Sequence, residues 1–165
     1  MDEQSLMRKS VHYTLFLILL SLASCSPPCH QWKLASIKAH CPAANYVKVY
    51  LPACNTFNGL EAEFMCSNGD MQLYLNSLTL QLPCDPCDPD HVNVNVTIGD
   101  DTFTYVADRL LGGQRLVMPE DAREQIICAL LEGNDVDISI GRYETTLISQ
   151  SFAKNYDQLV SISYP

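Results

Sequence analysis

A chain of 165 residues that is 47% hydrophobic and 8% aromatic can build a packed core, which excludes the class of disordered spacers. Its formal charge of −9 argues against nucleic acid as a partner and against attachment to anionic lipid by charge. Eight cysteines in an exported chain read as disulfide chemistry rather than as a cytosolic metal framework.

The first stretch fixes the compartment. Arg8 and Lys9 supply a short cationic region, Val11 to Leu22 an apolar run, and Leu22-Ala23-Ser24-Cys25 a small-residue ending. That is the layout of a secretory signal over residues 1–24. The run is shorter than the ~20 residues that cross a bilayer as a helix, and Pro27-Pro28 follow at once, so a retained anchor helix is not expected. Asp2 and Glu3 sit oddly in a region that should be positive; without residues 1–6 the signal improves, which makes Met7 the alternative start.

Leu22-Ala23-Ser24-Cys25 resembles the lipobox of bacterial lipoproteins. The resemblance implies that Cys25 is acylated, cut free and becomes the first mature residue. Ser26 beside it, rather than Asp, resembles the outer-membrane sorting choice of Gram-negative bacteria. Read without the resemblance, the segment is an ordinary secretory signal cut near Ser24, and Cys25 is one more thiol. Acylation of Cys25 leaves seven candidates for disulfides: Cys29, Cys41, Cys54, Cys66, Cys84, Cys87 and Cys128. Seven is odd, so one thiol is free or bonds another chain, and spacing does not fix the connectivity.

Residues 25–44 read as a lipidated N-terminus and tether, with a short helix over Gln31 to Ala39, ahead of a single β-rich domain over 45–165. Tyr46 to Leu51, rich in Val and Tyr and closed by Pro52, is a predicted strand. Leu60 to Cys66 alternates apolar and polar residues, Asn68-Gly69 follows, and apolar residues resume at Met71, which is a hairpin signal. The second strand is predicted to run on, long or bulged, through Leu73 to Leu82, until Pro83. Residues 83–91, with Pro83, Pro86 and Pro89, form an exposed loop, because proline breaks both helix and central strand.

Val92, Val94, Val96 and Ile98 alternate with polar residues before Gly99-Asp100 and a second run over Thr102 to Val106. A shift of 42 residues lays Val94, Val96, Ile98, Gly99 and Thr104 on Val136, Ile138, Ile140, Gly141 and Thr146, so one hairpin is predicted twice. Between the copies lies the main helix, about 119–132. Pro119 starts it, Glu120 and Asp121 sit at its positive end, and Gly133-Asn134 close it. Ala122, Ile126, Ile127, Leu130 and Leu131 form its apolar face. Ser151 caps a short last helix carrying Phe152, Tyr156 and Leu159. The fold class is mainly β (α+β): a small β-sandwich-like domain of hairpins with helices at its edge. Gly133, Val136 to Ile140, Leu147, Phe152, Tyr156 and Leu159 resemble, in their order, the exported β-sandwich proteins of the invasion-associated locus B family. That resemblance implies the fold and no activity.

Cys84 and Cys87 have the spacing of thiol oxidoreductases, but Asp88-Pro89-Asp90 follows where the activating helix should start, and carboxylates raise a thiol pKa. Structural bridges are the favoured reading, from Cys84 to Cys87 or from each to a distant partner. Zinc on Cys84, Cys87, His91 and a carboxylate lacks the second ligand pair a structural site wants, so no metal and no cofactor are expected. Cys128 lies opposite its helix's apolar stripe, between Glu124 and Glu132, which disfavour thiolate. It is the candidate unpaired or intermolecular cysteine, with a bond to Cys54 or Cys66 as the alternative. Glu61 and Glu63 read as the wet side of a half-buried strand. No catalytic residue is assigned: the histidines after the signal are His30, His40 and His91, and no nucleophile elbow accompanies them.

The expectation is therefore a non-enzymatic lipoprotein, held at the envelope membrane through lipid on Cys25 and facing the periplasm or the surface. Its role would be structural or protein-binding, with an envelope protein or a disulfide-linked copy as partner. The alternatives are a redox protein working through Cys84 and Cys87, or a crosslinked envelope component.

Overall fold

The computed structural model describes residues 29–37, 46–84 and 87–163. The signal segment, Cys25 and Cys41 lie outside them. Nine strands are present among the described residues: β1 (Lys33–Ile37), β2 (Tyr46–Leu51), β3 (Leu60–Ser67), β4 (Asp70–Ser77), β5 (His91–Ile98), β6 (Asp101–Arg109), β7 (Arg115–Val117), β8 (Val136–Ile140) and β9 (Tyr143–Leu147). Two helices join them, α1 (Glu120–Leu131) between β7 and β8 and α2 (Phe152–Ser163) after β9. The domain is mainly β, and its strands form one antiparallel sheet in the order β1-β2-β3-β4-β7-β6-β5-β8-β9.

Local signals account for the turns. Asn68 (φ 53°) and Gly69 (φ 81°) both take the left-handed conformation that a two-residue hairpin with the right-handed sheet twist demands. The two predicted hairpin copies, β5–β6 and β8–β9, are side by side, and their shared register is self-symmetric. Asn95 faces Ser139, Val96 faces Ile138 and Thr97 faces Asp137, so each residue faces the counterpart of its own mirror position about Val96. The copies also repeat one cross-strand hydrogen bond: Thr104 Oγ1 donates to Asn95 Oδ1 (2.9 Å), and Thr146 Oγ1 to Asp137 Oδ1 (2.6 Å).

Helix α1 begins one residue after Pro119 and ends as its glycine requires. Gly133 is at φ 91°, Asn134 N donates to Ala129 O (2.9 Å) and Gly133 N to Leu130 O (3.3 Å), which is a Schellman closure. Ala122, Ile126, Ala129 and Leu130 are its buried residues, whereas Leu131, expected on that face, is exposed. At the start of α2 it is the Ser151 carbonyl that works, accepting from the backbone N and the side-chain amide of Asn155 (3.3 and 2.8 Å).

One face of the sheet is apolar along its whole length, from Val47, Val49 and Leu51 through Phe64 and Leu75 to Val94 and Ile138. Helix α2 covers it at β1, β2 and β3, and α1 at β4 and β8. The sheet curls far enough for its last strand to meet the start of β3, where Gly59 bridges Glu144 and Glu144 N donates to Asn58 O (3.0 Å). The two-layer packing expected of a sandwich thus comes from a single curled sheet and two helices. Gly59 is required at that junction: a Cβ there would overlap the Asn55 carbonyl.

Three expectations are corrected. Lys33–Ile37 is a strand and not a helix, because its backbone pairs in register with β2, Lys33 facing Tyr50 and Ile37 facing Tyr46. The part of the expected tether from Cys29 to Ile37 belongs to the domain: Trp32 is buried, with its ring 5.0 Å from Phe152 and 5.8 Å from Phe64. β4 stops at Ser77, which turns the chain by donating its hydroxyl to Leu80 O (2.5 Å), so Leu78 and Leu80 are exposed loop residues.

Candidate functional site

Strand direction collects the chemistry-bearing loops at one end of the sheet. β2, β4, β6 and β8 finish there and β3, β5, β7 and β9 begin there, so residues 52–59, 78–84, 87–90, 110–114 and 141–142 converge. Backbone and side-chain bonds tie the loops together: Thr79 Oγ1 donates to Thr56 O (2.8 Å), Leu82 N to Gly113 O (2.7 Å) and Tyr143 OH to Gln81 O (3.3 Å).

A disulfide between Cys29 and Cys54, with Cα atoms 4.9 Å apart, fastens the start of the described chain to this end. His30 stands against it, its Nδ1 3.3 Å from the sulfur of Cys29 and its Nε2 3.7 Å from that of Cys54. Two sulfurs and an imidazole within 4.8 Å are the donor set for a soft metal ion. While the disulfide is closed, neither sulfur offers the thiolate such an ion needs, and the trio is a brace. A cleft of about 540 Å³ opens beside it, lined by His30, Cys54, Asn58, Asp137, Ser139 and Glu144 among others.

The Pro-Asp-Cys loop borders a second cleft of about 360 Å³ with Cys84, Asp88, His91, Val106 and Ile140 on its walls. Cys84 is exposed and carries no disulfide, and Cys87 is exposed as well. The imidazole of His91 is engaged by carboxylates, Nδ1 with Asp88 (2.8 Å) and Nε2 with Asp108 (3.4 Å). The hydrogen bond and charge of Asp88, then the charges of Asp108 and Asp90, raise the His91 pKa above the ordinary histidine value. His91 is accordingly expected to titrate above ~6.5, and Asp88→Asn to bring it back toward that value. The C2 proton resonance followed against pH checks this; an unmoved midpoint in the variant would remove Asp88 as the cause.

The remaining cysteines are far apart in environment. Cys66 is buried on β3 without a disulfide. Cys128 is exposed on α1, its sulfur donating to Glu132 Oε1 (3.5 Å), and that bond and charge push its thiol pKa up. Cys128 is not joined to Cys54, whose partner is Cys29, or to Cys66.

Sequence reasoning placed Glu63 in water; the structure buries it at 4% exposure. Tyr50 and Tyr74 flank it on β2 and β4, and its carboxylate accepts from Lys48 Nζ and from Arg115 Nη2 (2.9 Å). Arg115 lies over the Tyr74 ring, 3.9 Å from its centre, and Lys48 over Tyr50, 4.7 Å away. Burial pushes the Glu63 pKa up, but the Lys48 bond and the charges of Lys48 and Arg115 outweigh it and hold the carboxyl below its usual range. Neighbouring Glu61, which accepts from Asn76 (3.4 Å), is raised by burial and by the charge of Glu63. The network is internally neutralised and braces four strands. Lys48 and Arg115 stand on strands that have β3 and β4 between them, so only the sheet order could have revealed the pairing.

No protein family, curated protein or solved structure matches this chain.

Proposed function

We propose that the chain is a membrane-anchored lipoprotein of the bacterial cell envelope, held through lipid on Cys25, with a structural or protein-binding role and no catalysis. The observation that carries the reading is the ending Leu22-Ala23-Ser24-Cys25 behind a basic start and an apolar run. Further support comes from the Cys29–Cys54 disulfide, which suits an oxidising compartment, and from a packed body that is under way four residues after Cys25. No helix among the described residues is long and apolar enough to cross a membrane, so attachment in this reading falls to the acyl chains. The non-catalytic part rests on how the reactive-looking groups are used: Glu61 and Glu63 in a brace, Cys128 held as a thiol by Glu132.

The expected result is incorporation of radiolabelled palmitate, its loss in Cys25→Ser, and an intact mass that shows the acyl group together with the hydrogens removed by Cys29–Cys54. A product that takes up no palmitate would overturn the reading.

A further inference from the structure

The loop end that carries the Cys29–Cys54 disulfide is also where large apolar side chains face water. Leu111 is fully exposed at the tip of the β6–β7 loop, Phe57 is 73% exposed in the β2–β3 loop, and Leu78, Leu80 and Leu110 are exposed between and beside them. They share one end of the sheet, where the bonds from Thr79 to Thr56, from Leu82 to Gly113 and from Gly113 N to Leu110 O (3.0 Å) hold the three loops together. Several large apolar side chains exposed on neighbouring loops, unlike single ones scattered over a surface, mark a face that is covered in use.

We infer that this end of the domain docks on the bilayer, its Phe57 and Leu111 loops entering the lipid interface. The inference rests on the lipoprotein reading. Four residues of chain, at about 3.5 Å each, reach no more than about 14 Å, so acyl chains on Cys25 keep Cys29 that close to the lipid. The disulfide then fixes Cys54, three residues before Phe57, at the same surface. The opposite end, with Asn68-Gly69 and Gly99-Asp100, is a full strand length away, and its turns are polar. Asp88, Asp90 and Asp108 stand at or near the docking end together with Arg109, Arg115 and Arg142, so neither sign of charge dominates there and the contact is apolar rather than electrostatic. Raising the salt concentration should therefore leave it in place.

The test is to reconstitute the full acylated protein into phosphatidylcholine vesicles that contain a lipid with a photoactivatable diazirine in its acyl chain, irradiate, and map the labelled peptides. Label is expected on the peptides holding Phe57, Leu78 to Leu80 and Leu110-Leu111. In the double variant Phe57→Ser with Leu111→Ser it should fall about tenfold or more, since a large apolar side chain withdrawn from hydrocarbon changes partition by about that factor. Both positions are exposed, so the variant keeps its core. Label confined to the acyl-bearing N-terminal peptide, or centred on the exposed β6 residues Phe103 and Val106 instead of the loops, would overturn the docking and leave the anchor standing. If the intact mass shows no acyl group, the lipoprotein reading fails instead. The same mapping, with the unacylated chain mixed with the vesicles, then decides the docking by itself: loop label supports it and none overturns it.

Discussion

Trp32→Ala is expected to destabilise the domain by about 4 kcal/mol, as judged by chemical denaturation. The ring is only 5% exposed and lies among Phe64 and Phe152, while its Nε1 donates to Ile148 O (2.6 Å). Removing it leaves a cavity where three aromatic rings met and strands the Ile148 carbonyl in a partly buried site. The consequence reaches beyond one side chain, because Trp32 is what pins β1 and the N-terminal arm to the helix α2. A loss below about 1 kcal/mol would mean that residues 29–37 are peripheral after all.

Glu63→Ala should cost about 3 kcal/mol at neutral pH, since it leaves Lys48 and Arg115 facing each other without their shared carboxylate. The figure is set at the low end for a broken buried pair because Arg115 is 37% exposed and water screens it. The pH dependence has a defined sign. The folded pKa of Glu63 is depressed, so its contribution is present above the unfolded carboxylate value of ~4.3 and is lost as pH falls through the lower folded value. Glu61 works the other way. Its folded pKa is raised, so its charge is a burden at neutral pH, and Glu61→Gln should stabilise there and lose its advantage below ~4.3. Thermal unfolding of both variants between pH 3 and pH 7 separates the two; a parallel response would refute the opposed shifts.

What could be read in the sequence was what adjacent residues decide among themselves. Asn68-Gly69, Gly99 and Gly141 specified their turns because positive φ is a local demand, and Pro119 with Gly133 bounded α1 for the same kind of reason. What escaped was decided across the chain. Residues Lys33 to Ile37 carry no strand alternation strong enough to announce themselves and became a strand because β2 offered an edge. Arg115–Val117, three residues long, is a strand because β4 and β6 leave a gap that it fills. Leu78 and Leu80 looked like a continuing strand, since apolar alternation does not say whether the face is covered. The candidate site divides similarly: the Pro-Asp-Cys loop was legible as an exposed break, whereas the apposition of Cys29, His30 and Cys54 needed the fold to bring the segments together.

The mirrored register of β5 and β8 has a consequence for how such a body could be assembled. Two hairpins meeting through Val96 and Ile138 make the contact that two identical subunits would make across a dyad, an isologous interface enclosed within a single polypeptide. The stretch from Leu110 to Asp135 then serves as the strap that fuses the pair, and in doing so supplies β7 and α1 to close the remaining half of the molecule.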